Sequence, residues 1–236
     1  MSKFAVFDID GTLIRWQLYH ALADALAELG HIDAERFQQI RDARMVWKRR
    51  ESTNSFKDYE AQLVKQYEEI LSQITGRQFD QAVERVFNEY KDQVYTYTRD
   101  LIKDLNNDGY LLFAISGSQE ELVSKIAAHY GFDDFVGRVD ERKNGRFTGN
   151  SKTVVFDKDL ALKKLVEKHH AGFSGSLGVG DSASDIKMLA LVEQPIAFNP
   201  EQALFRHAKK EGWKVVVERK NMIYKLEMVD GAYLLA

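Results

Sequence analysis

The chain has 236 residues, enough for one sizeable core and a smaller module, and its 44% hydrophobic and 29% charged content is ordinary for a globular protein. A formal net charge of −3 gives no bulk attraction to nucleic acid, and the absence of cysteine excludes disulfides, thiolate metal sites and a cysteine nucleophile. No apolar run approaches the ~18 residues that a membrane span needs, so neither a membrane nor a nucleic acid is an expected partner. The amino terminus meets a core strand at once, without a secretory segment, and the sequence reads as intracellular, in the cytoplasm.

Phe4 to Phe7 is a short apolar run of the kind buried on both faces of a parallel sheet, and it ends in Asp8-Ile-Asp-Gly-Thr12. The pattern then turns helical. Leu18, Leu22, Leu26 and Leu29 recur at steps of four and three, with Gly30 as a stop. Phe37, Ile40 and Trp47 mark a second helix that ends in Lys48-Arg-Arg50. Phe56, Tyr59, Leu63, Tyr67, Ile70 and Ile74 make a third stripe closed by Gly76, and Phe79, Val83, Val86, Tyr90 and Val94 a fourth. Four successive amphipathic helices can bury their stripes against one another as a small bundle. Residues 15–96 are therefore expected to form an all-helical insert, with 1–14 and 97–236 forming the core around it.

From Thr98 helices and strands alternate. Leu101, Ile102 and Leu105 face a core, and Tyr110 to Ile115 is a second buried strand that stops at Ser116-Gly-Ser118. A helix is expected over 119–130, then a hairpin from Val136 to Thr148 turning at Asn144-Gly145. A helix from Lys158 to His169 and a strand from Ser176 to Val179 precede Gly180-Asp-Ser-Ala-Ser-Asp185. Ile196–Phe198 and Trp213–Val217 read as further strands, separated by a helix over 201–211. This alternation predicts an α/β fold with a doubly wound, Rossmann-like parallel sheet. Residues 219–236 show no period that places them.

The chemistry gathers at strand ends, where open α/β sheets bind their ligands. Asp8 and Asp10 share a side of the first strand if its geometry persists. Two carboxylates there repel each other unless a cation intervenes, and Mg²⁺ takes oxygen ligands while keeping waters that a phosphate can replace. Ser116 with Gly117 brings a hydroxyl together with open backbone N–H groups, both donors to a phosphate oxygen. Lys158 opens a helix, where anions are already favoured. Asp181 and Asp185 stand four apart at another helix start, on one face. Singly, each has a plain structural explanation: a turn, a solvated lysine, a helix cap. Together, on the same edge of one sheet, they point to phosphate chemistry.

Asp8-Ile-Asp-Gly-Thr12, Ser116, Lys158 and Gly180-Asp-Ser-Ala-Ser-Asp185 resemble the four signature motifs of the haloacid-dehalogenase-like hydrolases. The insert after the first motif, the later hairpin and Asp185-Ile-Lys-Met-Leu189 resemble the phosphoserine-phosphatase branch. The resemblance implies a Mg²⁺-dependent phosphomonoesterase acting on a small phosphorylated metabolite. Asp8 is then the nucleophile that becomes an aspartyl-phosphate, and Asp10 the acid and base. Asp8, Asp10, Asp181 and Asp185 serve the metal, while Thr12, Ser116, Gly117 and Lys158 hold the phosphate. The helical insert is implied to be a cap that reads the leaving group. A phosphotransferase or mutase using the same intermediate, or a non-catalytic phosphate-binding protein, are the alternatives. The branch also implies an acid early in the first cap helix, yet Arg15-Trp-Gln-Leu18 is followed by no acid before Asp24.

Overall fold

The computed structural model describes residues 2–52 and 55–235. In chain order it runs through β1 (Phe4–Phe7), α1 (Leu18–Glu28), α2 (Ala34–Lys48), α3 (Ser55–Leu71), α4 (Gly76–Tyr90), α5 (Thr96–Asn107) and β2 (Leu111–Gln119). It continues through α6 (Glu120–Tyr130), β3 (Asp134–Lys143), β4 (Arg146–Lys152), α7 (Lys158–Lys168), β5 (Leu177–Gly180), α8 (Ile186–Leu189) and β6 (Gln194–Phe198). It ends with α9 (Gln202–Glu211), β7 (Lys214–Arg219), β8 (Met222–Val229) and β9 (Ala232–Leu235). Two compact units result: one of Met1–Gln17, Tyr90–Arg138 and Thr153–Ala236, the other of Leu18–Glu89 and Val139–Lys152.

The first unit is an α/β sandwich around a sheet of order β3-β2-β1-β5-β6-β7-β8-β9. Strands β3 to β7 run parallel, and β8 and β9 return antiparallel. All four residues of β1 are buried, since β1 lies at the centre with helices covering it. Its register sets Phe7 beside Ala114 of β2 and Val179 of β5, so the strands that carry the predicted motifs end side by side. Phe4, Val6, Phe113 and Ile115 pack with Leu162 and Leu165 of α7 and with Met188 and Leu189 of α8. A Cβ on Gly178 would lie 3.0 Å from both Leu189 and Val192, so the glycine lets α8 close onto β5.

The second unit joins α1 to α4. Ala23, Ile40, Tyr59 and Leu63 form its small core, with Trp47 stacked on Tyr59 at 5.7 Å between ring centres. Arg44 forks onto Asp24 with two bonds of 2.7 Å and donates to the Tyr59 hydroxyl at 2.8 Å, tying three helices together.

Several boundaries differ from the sequence reading. Gly76 does not close a helix but opens α4, and its N–H donates to the Gly145 carbonyl at 2.8 Å. The fourth stripe stops at Tyr90, and Val94 instead bridges Ile14. The hairpin turns at Asn144-Gly145 as expected, but residues 139–152 group with the helical unit rather than with 97–236. The reason is side-chain packing: Phe147 meets Phe79 edge-on at 5.0 Å, Arg142 covers both rings, and the Tyr67 hydroxyl donates to Asp140 at 3.0 Å. Residues 219–236, which showed no period, supply β8 and β9. Their side chains are mostly exposed, so no alternation of polar and apolar residues is required of them.

Candidate active site

After β1 the chain must turn sharply, and the turn explains the residues in it. Gly11 sits at φ +80°, a conformation that suits glycine, and a Cβ there would collide with the Asp181 carboxylate. The Ile9 carbonyl accepts from Leu13 and Ile14 at 2.9 Å each, and the Thr98 hydroxyl donates to the Thr12 carbonyl at 2.9 Å. Asp8, 4% exposed, is anchored by its own N–H to the Val179 carbonyl of β5 at 3.0 Å. Thr12 Oγ1 donates to Asp8 Oδ2 at 3.2 Å, and Lys158 Nζ to Asp8 Oδ1 at 2.6 Å.

Lys158 is the first residue of α7 and is 3% exposed. It bridges Asp8 and Asp185, at 2.6 Å from an oxygen of each. The remaining oxygen of Asp185 accepts from Asp181 N–H at 3.1 Å, Ser182 N–H at 2.9 Å and the Ser182 hydroxyl at 3.1 Å. The Ser182 N–H bond, with the Asp185 N–H donating in return to the Ser182 side chain, forms a capping box that fixes the loop after β5. Gly180 is required beneath it, because a Cβ there would lie 2.6 Å from Asp185 Cβ. Ser116, fully buried at the bend of β2, donates to Asp10 Oδ2 at 2.6 Å and accepts from Ser118 N–H at 2.9 Å. Gly117 lets Val155 approach, since a Cβ would lie 2.5 Å from Val155 Cγ2.

All eight predicted site residues thus lie in the first unit, and hydrogen bonds join most of them in two groups. Asp8, Thr12, Lys158 and Asp185 form one, with Asp181 tied in through its backbone, and Asp10 with Ser116 forms the other. One placement is unlike the sequence expectation: Lys158 is engaged with carboxylates. Asp185 spends its oxygens on Lys158 and on the loop backbone. Ser182 and Thr98 join the site without standing out in the sequence; a Ser three residues ahead of Asp185 is the one signal for the former. Arg15 lies over the Tyr95 ring at 5.5 Å, and Arg49 pairs with Glu51 in solvent.

The electrostatics call for a cation. One carboxylate oxygen from each of Asp8, Asp181 and Asp185 lies within 4.8 Å of the others. Burial pushes Asp8 up to about 7, with Asp185 and Asp10 adding to the effect and Lys158 opposing it. Asp181 is held well above the ordinary carboxylate range, by burial first and then by Asp8, Asp185 and Asp10. Burial alone would lower the Lys158 ammonium, but Asp185 and Asp8 outweigh it and keep the lysine charged. One lysine cannot balance this group of acids. A hard divalent ion with oxygen ligands fits the donor set.

Residues 5–190 match the model of the haloacid dehalogenase-like hydrolase family. A histidinol-phosphatase of Neisseria meningitidis serogroup C (strain 8013) is 25% identical over 224 residues, spanning 92% of this chain and 99% of that protein. A phosphoserine phosphatase of Lactococcus lactis subsp. lactis (strain IL1403) is 31% identical over 133 residues, 55% of this chain and 59% of its own length. Among solved structures, a protein of unknown function from Bordetella pertussis Tohama I shares the fold with a TM-score of 0.73 and 21% identity, covering 91% of this chain and 98% of that one. Among the described residues, no helix is long and apolar enough to cross a membrane.

Proposed function

Since the chain belongs to the haloacid dehalogenase-like hydrolases, in their phosphoserine-phosphatase-like branch, and is a hydrolase of phosphoric monoesters, we propose that it is Mg²⁺-dependent and works through an aspartyl-phosphate on Asp8. The observation that carries this reading is the meeting of Asp8, Asp181 and Asp185 around Lys158 at the ends of adjacent strands β1 and β5. Asp8 and Asp181 would hold the metal, with Asp185 fixing the loop between them. The bound ion would offset the charge on the phosphoryl oxygens.

Asp8 attacks phosphorus, and the bond from phosphorus to the ester oxygen breaks. Asp10 gives the leaving oxygen its proton. It then takes a proton from the water that attacks the phosphoryl group, releasing inorganic phosphate and restoring Asp8. The Ser116 hydroxyl, at 2.6 Å, holds Asp10 in place for both transfers. Lys158 faces Asp8 Oδ1 and is placed to meet the negative charge of the phosphoryl group as it transfers. Thr12 serves the other oxygen of Asp8.

The relatives named above act on histidinol phosphate and phosphoserine by their names, both small phosphate esters of alcohols that carry an amine. That class is the substrate proposed here. The test is phosphate release from such esters with Mg²⁺, without an added acceptor, and its loss in EDTA. Asp8→Asn should lower turnover by several orders of magnitude while the protein still melts cooperatively. Retention of a tenth of the activity, or full activity after exhaustive removal of metal, refutes the mechanism. Transfer to an added alcohol with no free phosphate would make the protein a phosphotransferase instead.

A further inference from the structure

Strand β9 ends the sheet and, among the described residues, pairs on one side only, with β8. An open strand edge is a template for another strand, and proteins commonly blunt it with lysine, proline, a bulge or an inward charge. Ala232-Tyr-Leu-Leu235 carries none of these, and Leu234 and Leu235 are 53% and 69% exposed. Nor is β9 loose. The Tyr233 hydroxyl donates to the Trp213 carbonyl at 2.8 Å, and its ring lies 5.7 Å from that of Phe205.

The turn before β9 decides which backbone groups face outward. Asp230 at φ 50° and Gly231 at φ 80° are both left-handed, as a type I′ turn requires. In such a two-residue hairpin the flanking pair, here Val229 and Ala232, exchanges hydrogen bonds, and bonded pairs then alternate along the ladder. Ala232 and Leu234 therefore direct N–H and C=O to β8. Tyr233 and Leu235 direct theirs away from it.

We infer that β9 is a pairing surface for a second copy of this chain, the two strands running antiparallel about a two-fold axis at Leu234. The register follows from the outward groups. An axis at Leu234 sets Tyr233 of each copy opposite Leu235 of the other, and each of these two pairs exchanges two hydrogen bonds. An axis at Tyr233 or at Leu235 offers one such pair within β9. Side chains favour the same register. Leu234 meets its own copy where the strands approach most closely, and Leu235 lands opposite Tyr233, on the face where Phe205 is exposed. With no charge on β9, identical strands meet without repulsion, and the antiparallel run of β7, β8 and β9 simply continues. The contact closes on itself as a dimer and cannot grow into a filament. Four residues a side make a contact below the usual interface size, so the dimer is weak and forms with rising concentration.

The experiment is sedimentation velocity of the full chain from micromolar to millimolar protein, beside backbone amide exchange followed by NMR at both ends of that range. The wild-type mass should rise toward twice that of the monomer. The Tyr233 and Leu235 amides should exchange at least tenfold more slowly at high concentration, whereas Leu234, bonded to β8, should change little. Leu234→Lys should stay monomeric with its activity and melting midpoint kept, since that side chain is exposed. Leu235→Pro removes an outward N–H without touching the ladder to β8, and should also stay monomeric. A wild type that is monomeric up to about 1 mM overturns the inference, whatever other strand the edge accepts. A dimer that survives both substitutions places the interface elsewhere. One lost in Leu234→Lys but kept in Leu235→Pro, or one without new protection at Tyr233 and Leu235, is held by side chains alone and refutes strand pairing.

Discussion

Lys158 shows how much a single side chain can be asked to do. Two carboxylates lie 2.6 Å from its nitrogen, and it is 3% exposed, so it stays charged although burial opposes that. Removing it leaves the buried carboxylates of Asp8 and Asp185 without the cation between them. Lys158→Ala should lower turnover by about 10²–10³ on every substrate, the range for loss of one preorganised donor. Lys158→Arg should not rescue it, because a planar fork cannot occupy the space of a point charge between two acids. The check is kcat across several esters; a loss confined to one of them contradicts the assignment. Gly11 is the second residue whose identity geometry dictates. Gly11→Ala meets both the left-handed backbone and the Asp181 carboxylate, and should weaken the apparent Mg²⁺ affinity more than it lowers the melting point. The left-handed backbone alone costs about 1–2 kcal/mol.

At the scale of elements, α1 contains a pH-sensitive contact. His20 is 2% exposed, with its ring edge-on to Tyr59 at 4.9 Å. Burial first, and the Arg44 charge second, lower it to about 3. The unfolded chain binds a proton there below about pH 6.5 while the folded chain does not. The helical unit should therefore lose stability as pH falls from 6.5 toward 3, by at most about 1.4 kcal/mol per pH unit. His20→Phe should flatten that slope in melting curves taken over this range; an unchanged slope assigns it to other groups. The element scale also shows what a sequence makes legible. The stripe Tyr59, Leu63, Tyr67 and Ile70 is buried in α3, because a core imposes its period on whatever packs against it. The acids and Lys158 were legible only as a set: singly each had a plain structural reading, and it was their order along the chain, each at a strand end or helix start, that pointed to phosphate chemistry. The role of Asp185 in holding the backbone of 181 and 182 was not, since a carboxylate does not announce which donors it will meet. Nor were β8 and β9, whose largely exposed side chains carry no pattern.

At the scale of the molecule, the second unit enters the first at two points, residues 18–89 and 139–152. Deleting 18–89 alone would strip Phe147, now 8% exposed, of the Phe79 ring it packs on. Such a protein should aggregate or melt without cooperativity, whereas deleting 18–89 and shortening 139–152 to a turn should leave a soluble, cooperatively melting sheet domain. Equal behaviour of the two deletions in size-exclusion and thermal melts would show that the hairpin does not depend on the helices. The sheet carries a further consequence, one of time. Ala5 of β1 pairs with Leu177 of β5, far along the chain. At ~5–20 residues per second the ribosome needs roughly 10–30 s to deliver that partner after the first strand emerges. Throughout that interval the wholly apolar β1, with Asp8 at its tip, has at least one side unpaired, and both until β2 emerges. Nascent-chain release or chaperone capture should therefore concentrate before β5 appears.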